Sequence, residues 1–440
     1  MEDQGRTPAN KTERCYRAGH RTQTTTRVFT PCRRQYPPDA GRLASVELFA
    51  GAGGLGIGVG RAGFETKLVV DWNRQACATI RTNQALRHPE VASWPLRECD
   101  VREIDFRTLG TVDLVSGGPP CQPFSLGGKH HGPLDERDMF PQAIRAVREL
   151  MPRAFVFENV PGLKRPAFSH YLGYIRDQLA FPEVAIRAQE TWMDHARRLR
   201  REGATANAYA GLAYRVQIET ANAADFGVPQ KRERMFMVGL RSDLEADWTF
   251  PRATHSQDAL LWQQWITGEY WDRHRIGVTD RPTMPSRLRR RLEPFRGFDI
   301  PPPSKPWRTV RDALNGLSDP QFDPTSCRRI PNHEFNPGAR AYAGHTGSRL
   351  DEPAKVLKAG DHGVPGGENM LARDDGTCRY FSAREAARLQ TFPDSYVFPG
   401  SWTETMRQIG NAVPVKLAHV LAARLEDCLK ASESALGIAV

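Results

Sequence analysis

From Leu43 onward, short apolar runs alternate with amphipathic stretches, and this pattern restricts the possible fold more than any other feature of the chain. The apolar runs are SVELF (45–49), TKLVV (66–70), TVDLVS (111–116), RAFVF (153–157), YRVQI (214–218) and RMFMVG (234–239). Helix-like segments lie between them, for example at 72–84 and 137–150. Strands that alternate with helices predict an α/β fold, with a mostly parallel sheet covered by helices on both faces.

This regularity is lost between about Arg241 and Thr377. The region contains a proline-rich segment at 301–306, and residues 273–311 hold eleven Lys and Arg against three Asp and Glu. We interpret it as a second, irregular and basic domain. Helical patterns return at 383–391 and at about 413–432. The C-terminal end is therefore expected to complete the first domain.

The predicted organisation has three parts. A flexible basic tail covers 1–42, a first domain covers 43–240 and is completed by 397–440, and a second domain covers 241–396. The tail holds nine basic and four acidic side chains without an apolar pattern, so it is either a phosphate-binding arm or, as we favour, a solvated extension. A charged stretch at 189–210 is interpreted as a surface insertion without an assigned role.

The net charge of +10 indicates a polyanionic partner, most simply a nucleic acid. No run of about 18 apolar residues occurs, and the first residues lack the apolar core of a signal peptide. We therefore expect a cytoplasmic protein that does not contact membranes. The eight cysteines are scattered without a CxxC pair, which favours reduced thiols and no structural metal.

The first predicted strand is followed by a glycine loop, FAGAGGLG, in which Gly51, Gly53 and Gly56 fit the pattern G-x-G-x-x-G. Asp71 ends the second strand twenty residues after Gly51, where a carboxylate can bind ribose hydroxyls. This arrangement fits NAD, and it fits other adenosine-containing cofactors nearly as well. A tight turn without a ligand is the remaining alternative.

The loop GGPPCQPFS (117–125) holds a single thiol, that of Cys121, directly after a predicted strand. This is the carboxyl end of the sheet, where ligands of open α/β folds bind. Most free cysteines are small buried hydrophobic residues, but three prolines and two glycines make this loop rigid and poorly suited to a core. The next strand ends in Glu158. A thiol beside a carboxylic acid suits nucleophilic attack on an electron-poor ring.

Taken together, these motifs resemble those of the cytosine-C5 DNA methyltransferases, of the bacterial type that occurs in restriction–modification systems. The matching motifs follow the order of the family from about Ser45 to Ala418, apart from a variable middle: ELFAGAGGLGIG (47–58), VVDWN (69–73), CDV (99–101), GGPPCQPFS (117–125), FENVPG (157–162), VPQKRERMFMVG (228–239), REAARLQTFPDSY (384–396) and QIGNAVPVKLA (408–418). Glu47, Asp71 and Lys231 depart conservatively from the usual Asp, Glu and Arg. The resemblance implies a Rossmann-like methyltransferase sheet with a smaller target-recognition domain at 241–396.

The resemblance also implies S-adenosyl-L-methionine in place of NAD. The residues that it assigns to the cofactor site are Phe49, Gly51, Gly53, Leu55, Asp71, Trp72, Asp100, Val101, Pro119 and Asn411. Asp71 is expected at the ribose, Trp72 beside the adenine, and Asp100 with Val101 at the adenine edge, although CDV by itself is also compatible with a surface loop. Asn411 is expected near the methionine end, and no metal is expected.

In the implied reaction, Cys121 attacks C6 of cytosine while Glu158 donates a proton to N3, and C5 then accepts the methyl group. Arg234 would hold the cytosine O2, and Arg232 would support the loop or contact a phosphate. Because Glu158 must carry a proton, we expect its pKa to be raised. The substrate is expected to be double-stranded DNA, with the target base flipped out of the helix.

The sequence argues against two alternatives to this function. An RNA methyltransferase of the same fold would carry a Cys-Phe-Thr signature that is absent here, and would not need about 140 residues of basic domain. A DNA-binding protein without catalysis would have a broken site, whereas every catalytic position named above is intact. The enzyme is expected to act as a monomer, associated with the nucleoid. A cognate restriction endonuclease acting separately is compatible with the sequence, which reveals neither that partner nor the recognition sequence.

Overall fold

The computed structural model of the chain describes residues 41–120, 138–204, 211–244, 246–295, 301–343, 345–359 and 369–435. Two features of the sequence fall outside this part of the chain: the predicted tail up to residue 40, and the thiol loop from Cys121 to residue 137.

The helices are α1 (Gly54–Arg61), α2 (Arg74–Ala85), α3 (Phe140–Leu150), α4 (Ser169–Ala180), α5 (Trp192–Ala204), α6 (Gln257–Trp265), α7 (Glu269–Arg273), α8 (Ser286–Leu292), α9 (Val310–Leu314), α10 (Pro324–Cys327), α11 (Ala383–Leu389), α12 (Trp402–Asn411) and α13 (Val415–Ala435). The strands are β1 (Ala44–Leu48), β2 (Glu65–Asp71), β3 (Leu96–Glu98), β4 (Leu114–Gly117), β5 (Ala154–Asn159), β6 (Tyr214–Asn222), β7 (Glu233–Arg241), β8 (His255–Ser256), β9 (Lys305–Pro306), β10 (Ser348–Arg349), β11 (Met370–Ala372) and β12 (Cys378–Tyr380). Among these helices, none combines the length and apolar character that crossing a membrane requires.

Seven strands form the main sheet in the order β3-β2-β1-β4-β5-β7-β6. The first five run parallel, while β7 is antiparallel to both β5 and β6. The predicted mostly parallel sheet is confirmed. Two features were not predicted: β3, which is only three residues long and lacks an apolar run, and the reversed direction of β7.

Alternating side chains explain why helices cover both faces of the sheet. In β5, Phe155 and Phe157 lie in one apolar cluster with residues of α3, α4 and α5, whereas Ala154 and Val156 lie in another with residues of α1 and α13. A two-residue period of this kind places successive side chains on opposite faces. Both faces are therefore buried, as the continuous apolar runs of the sequence indicate.

The C-terminal helix α13 packs directly against α1. A Cβ atom on Gly58 would lie only 2.4 Å from the Cβ of Ala418, so this close contact requires a glycine. The helix thus covers the sheet together with α1. The boundaries drawn at residues 240 and 396 stay a prediction.

The region between β7 and α11 consists of short helices, a two-stranded sheet (β8, β9) and a three-stranded one (β10, β11, β12). A small apolar cluster there includes Leu260, Tyr270, Trp271 and Trp307. Helix α11 is buried in a different cluster, which it shares with residues of α1, β2 and α2. The irregular region is thereby anchored to the sheet.

The prediction of a surface insertion at 189–210 is wrong for helix α5. His195 and Leu199 are fully buried, and Leu199 belongs to the same apolar cluster as Phe155. The nitrogens of His195 are hydrogen bonded to the hydroxyl of Tyr174, at 2.8 Å, and to the carbonyl of Val184, at 2.7 Å. The many arginines of this helix suggested a solvated segment, but only some of them, such as Arg197, are exposed, whereas Arg198 is buried beside Glu190. Residues 205–210 lie outside the described residues.

We expect Leu199→Ala to destabilise the protein by roughly 2–5 kcal/mol, because the substitution leaves a cavity in the main core. Urea unfolding followed by circular dichroism would measure the change. Arg197→Ala is the matched control on the exposed side of the same helix, and we expect a change within about 0.5 kcal/mol. Equal, small effects of both substitutions would show that α5 is peripheral.

Candidate active site

The predicted site residues lie where four neighbouring parallel strands end. Strand β1 lies between β2 and β4, so the chain adds the next strand on one side of β1 and later strands on its other side. Such a point opens a crevice at the carboxyl edge of the sheet, where ligands of α/β proteins bind. The glycine loop follows β1, Asp71 ends β2, Pro119 follows β4 and Glu158 lies at the end of β5.

Asp71 holds the glycine loop in place. Its Oδ2 accepts a hydrogen bond from the backbone amide of Gly51 at 2.7 Å, and its Oδ1 accepts one from the amide of Asn73 at 2.7 Å. Burial raises the pKa of Asp71, while these amides and Arg407 act in the opposite direction. Gly51 and Gly53 have positive φ angles of 54° and 86°, which glycine adopts without strain. The carboxylate thus shapes the loop, and its contact with a ribose stays a prediction.

Trp72 follows the buried Asp71, yet 75% of its surface is exposed. An exposed indole at the ligand edge offers a flat apolar surface for stacking against a nucleobase. Asp100 is brought to the same edge, because the amide of Cys99 donates to the carbonyl of Asp71 at 3.2 Å. The Asp100 carboxylate accepts a hydrogen bond from the amide of Arg102 at 2.9 Å, and the side chain of Val101 is buried.

The space beside the glycine loop is compatible with a ligand that approaches the backbone. A Cβ atom on Gly51 would meet no atom within 4 Å, so this side of the loop is open. Leu55 is buried in the apolar cluster of α1 and α13, so only its backbone is available to a cofactor. The segment containing Asn411 also approaches, since a Cβ on Gly54 would lie 2.5 Å from the carbonyl oxygen of Val413. These residues fit an adenosine-containing cofactor.

Glu158 and Arg234 form a buried ion pair. The Nε of Arg234 lies 2.8 Å from the Oε1 of Glu158, and the two side chains are only 11% and 13% exposed. The other carboxylate oxygen, Oε2, faces Gly118, where a Cβ atom would lie 3.4 Å away. One oxygen of Glu158 is therefore paired, and the other is directed towards the loop that carries Cys121.

Burial raises the pKa of Glu158, and this effect exceeds the opposing effects of Arg234 and Arg232. The direction agrees with the expectation from the sequence. A carboxyl group that retains a proton while one of its oxygens contacts a guanidinium can act as a proton donor at its second oxygen.

Asn159 connects this carboxylate to the thiol loop, a role that was not predicted. Its side-chain amide donates to the carbonyl of Pro119 at 3.0 Å, and its Oδ1 accepts from the amide of Val160 at 2.9 Å. The amide of Met139 donates to the carbonyl of Pro120 at 3.2 Å. Both ends of the loop are thus held near Glu158, while Cys121 itself lies outside the described residues. The only sequence signal for Asn159 was its position directly after Glu158.

Arg232 is fully buried and supports the loops around the site. Its guanidinium donates to the carbonyl oxygens of Gly410 at 2.6 Å, Ala412 at 3.0 Å and Leu357 at 3.4 Å. The alternative of a phosphate contact is wrong, since this side chain has no exposed surface. The structure assigns Arg232 a bridging position between the start of β7 and the segment that contains Asn411.

Glu47 is a third buried acid at the site, after Asp71 and Glu158, and its only sequence signal was its departure from the usual Asp. It lies in β1 and accepts hydrogen bonds from the hydroxyl of Ser116 and from the backbone amide of Gly56. Burial raises its pKa to about 8. Glu47 thus joins β1, β4 and the first turn of α1 beneath the glycine loop.

Comparisons with known proteins agree with this geometry. A family model described as C-5 cytosine-specific DNA methylase matches residues 43–181 and 203–427. The type II methyltransferase M.PspPI of Psychrobacter sp. (strain TA137) is 32% identical over 399 residues, which cover 88% of this chain and 80% of that protein. M.NgoMIV of Neisseria gonorrhoeae is 27% identical over 397 residues, which cover 88% of this chain and 99% of that protein. A mutant form of DNMT2 from Spodoptera frugiperda shares the fold, with a TM-score of 0.51 and 16% identity over 87% and 99% of the two chains.

The chain belongs to the C-5 cytosine-specific DNA methylases. It is accordingly a DNA (cytosine-5-)-methyltransferase of the bacterial restriction–modification type, in a family whose methyl donor is S-adenosyl-L-methionine. The resemblance seen in the sequence motifs is confirmed. The unmatched segment between the two parts of the family model includes most of α5.

We expect Glu47→Gln to change how stability depends on pH. The folded protein keeps the proton of Glu47 up to about pH 8, whereas the unfolded chain releases it near pH 4.5, so ionisation lowers the free energy of unfolding as the pH rises through this interval. Glutamine cannot ionise. The free energy of unfolding of the variant should therefore rise, relative to that of the wild type, by up to about 1.4 kcal/mol for each pH unit in this interval. Urea unfolding of both proteins between about pH 6 and pH 8 would measure the difference, and parallel pH profiles would contradict the account.

Proposed function

We propose that this enzyme transfers a methyl group from S-adenosyl-L-methionine to C5 of a cytosine flipped out of a specific duplex DNA sequence. The reaction would proceed through a covalent bond between Cys121 and C6 of the base. The observation that carries this proposal is the buried pair of Glu158 and Arg234, whose free carboxylate oxygen faces Gly118, three residues before Cys121.

The cofactor would bind along the carboxyl edge of β1 and β2. Phe49, Gly51 and Gly53 would present backbone atoms to it, the exposed indole of Trp72 would stack against the adenine, and Asp71 would face the ribose. When bound, S-adenosyl-L-methionine supplies an electrophilic methyl group on a positively charged sulfur. Asp100, Val101, Leu55, Pro119 and Asn411 complete the proposed site.

Cys121 and Glu158 would make the base nucleophilic. The thiolate of Cys121 forms a bond to C6, Glu158 delivers its proton from Oε2 to N3, and the ring becomes an enamine with a nucleophilic C5. After C5 has taken the methyl group, loss of its proton and departure of the thiolate restore the aromatic ring. N3 then returns its proton to Glu158.

Arg234 would position the cytosine and stabilise charge on it. Its Nε is paired with Glu158, and its Nη1 donates to the carbonyl of Glu233 at 2.7 Å. Within the described residues its Nη2 has no hydrogen-bond partner, so this nitrogen is available to the O2 of the base. A guanidinium held at a fixed position stabilises developing charge without further reorganisation.

Attack on C6 and methylation of C5 require access to the faces of the ring, so the target cytosine must leave the base stack, at a cost of a few kcal/mol. Contacts with DNA would offset this cost. Helix α8 supports such contacts, since it exposes four arginines, Arg287, Arg289, Arg290 and Arg291. Basic side chains of this kind neutralise phosphates and orient the protein on the duplex.

We further infer that the enzyme works as a monomer, because one chain carries every residue assigned to the reaction. Its DNA substrate would place it in the cytoplasm, on the nucleoid. A role in a restriction–modification pair would place a separate endonuclease of the same specificity in the same cell.

Expression in a bacterial host that lacks cytosine methylation tests the proposed function directly. Bisulfite sequencing of plasmid DNA should show cytosines protected in one short sequence context, because C5 methylation blocks their conversion. Cys121→Ser should leave every cytosine convertible. Complete conversion with the wild-type enzyme, despite soluble expression, would contradict the proposal.

We expect Glu158→Gln to lower kcat by roughly 10²- to 10⁴-fold, since glutamine retains the shape but cannot deliver a proton. Methyl transfer to the duplex identified by bisulfite sequencing would be measured, together with DNA affinity. Glu219→Gln is the matched control, because Glu158 and Glu219 both pair with Phe236 from opposite sides, and Glu219 is exposed. A kcat unchanged by Glu158→Gln would remove Glu158 from the mechanism.

A further inference from the structure

Four basic side chains lie close to one another beside the turn at 223–232 that joins β6 to β7, and two of them contact Gly227. They are Lys416, His255, Lys305 and Arg308, which we call the basic cluster. A Cβ atom on Gly227 would lie 2.6 Å from the Nζ of Lys416 and 2.7 Å from the Nε2 of His255, so these two side chains are immediate neighbours. His255 and Lys305 are paired residues of β8 and β9, and Arg308 lies three residues after Lys305.

The turn projects from the same edge of the sheet as the catalytic pair. Met235 pairs with Asn159 on one side and with Thr220 on the other, so β6 continues two residues beyond the level at which β5 ends. Because β6 runs parallel to β5, the turn begins beyond the same edge of the sheet, four residues past the level of Glu158. The basic cluster therefore lies on the side of the protein that DNA must approach.

The cluster is poorly neutralised within the described part of the chain. Lys416 donates to the carbonyl oxygen of Gly227 at 3.3 Å, and His255 is hydrogen bonded to Thr254. Arg308 lies 3.8 Å from Asp312, a carboxylate already engaged by the cap of α9 and by His274. For Lys416, Lys305 and His255, no carboxylate among the described residues lies within ion-pair distance. This distinguishes the cluster from an ordinary surface salt-bridge network.

Burial and the neighbouring positive charges act together on two members of the cluster. Burial, Arg308 and Lys305 together lower the pKa of Lys416. Burial is the largest cause that lowers the pKa of His255, to about 4, and Lys416, Lys305 and Arg308 add to it. Like charges held together in this way destabilise the free protein, and a bound anion would relieve that cost.

We propose that the basic cluster binds a backbone phosphate of the DNA substrate and thereby docks the strand on the turn that leads into β7. The ammonium groups of Lys416 and Lys305 would contact the phosphate oxygens, with His255 and Arg308 beside them. Only Glu233, the first residue of β7, separates this turn from Arg234, so the contact aligns the DNA backbone with the catalytic pair. This inference rests on the proposed function, because it assumes duplex DNA as the substrate.

The salt dependence of DNA binding tests the proposal. Each phosphate contact contributes about 0.9 to the slope of log K against log salt concentration. Lys416→Gln and Lys305→Gln should each reduce that slope, by about this amount when combined, and should weaken binding at low salt, for specific and unrelated duplexes alike. Fluorescence anisotropy with labelled duplexes would measure it. Lys430→Gln is the control on the same helix, since Lys430 is exposed and paired with Glu426, and its slope should equal that of the wild type.

Unchanged slopes in both variants, with normal binding by the wild type, would overturn the proposal. Lower stability of Lys416→Gln without a change in slope would also overturn it, because the lysine would then only anchor Gly227. The exposed Lys305 provides the same test without contact to the turn. A wild-type enzyme that fails to bind duplex DNA would contradict the proposed function itself.

Discussion

The ion pair between Glu158 and Arg234 is the interaction on which the rest of the site depends. The Nε of Arg234 lies 2.8 Å from Glu158 inside the protein, and removing one member of such a buried pair typically costs about 3–5 kcal/mol. The pair can form only because β7 runs antiparallel beside β5, which brings Arg234 from the start of one strand to Glu158 at the end of the other. The reversed strand is thus a requirement of the chemistry as well as a feature of the topology.

Supporting contacts surround this pair. Asn159 joins the end of β5 to the thiol loop, and Arg232 joins the start of β7 to the segment that contains Asn411. Asp71 and Glu47 hold the glycine loop from below, through backbone amides and the Ser116 hydroxyl. The functional side chains are therefore oriented by neighbours that are themselves buried, as a site with fixed geometry requires.

Much of the fold could be predicted because the buried strands are continuous apolar runs. The runs at 45–49, 66–70 and 153–157 coincide closely with β1, β2 and β5. Strand β3 lacks such a run, and strand direction depends on tertiary contacts that a local pattern does not contain. Helix α5 was misjudged because its arginines dominate its composition, whereas its packing depends on a few residues such as Leu199. The sequence motifs identified most of the candidate site residues. Three features could not be predicted, because they depend on contacts between residues distant in sequence: the role of Asn159, the burial of Arg232 and the basic cluster.

The most direct test of the account is to trap the enzyme on a duplex whose target cytosine carries fluorine at C5. Because no proton can leave C5 after methyl transfer, the bond between Cys121 and C6 should persist. With S-adenosyl-L-methionine present, the account predicts an adduct stable to denaturation, with the modified base mapped by mass spectrometry to Cys121. Methyl transfer to normal duplex without any such adduct, or an adduct at another residue, would contradict it.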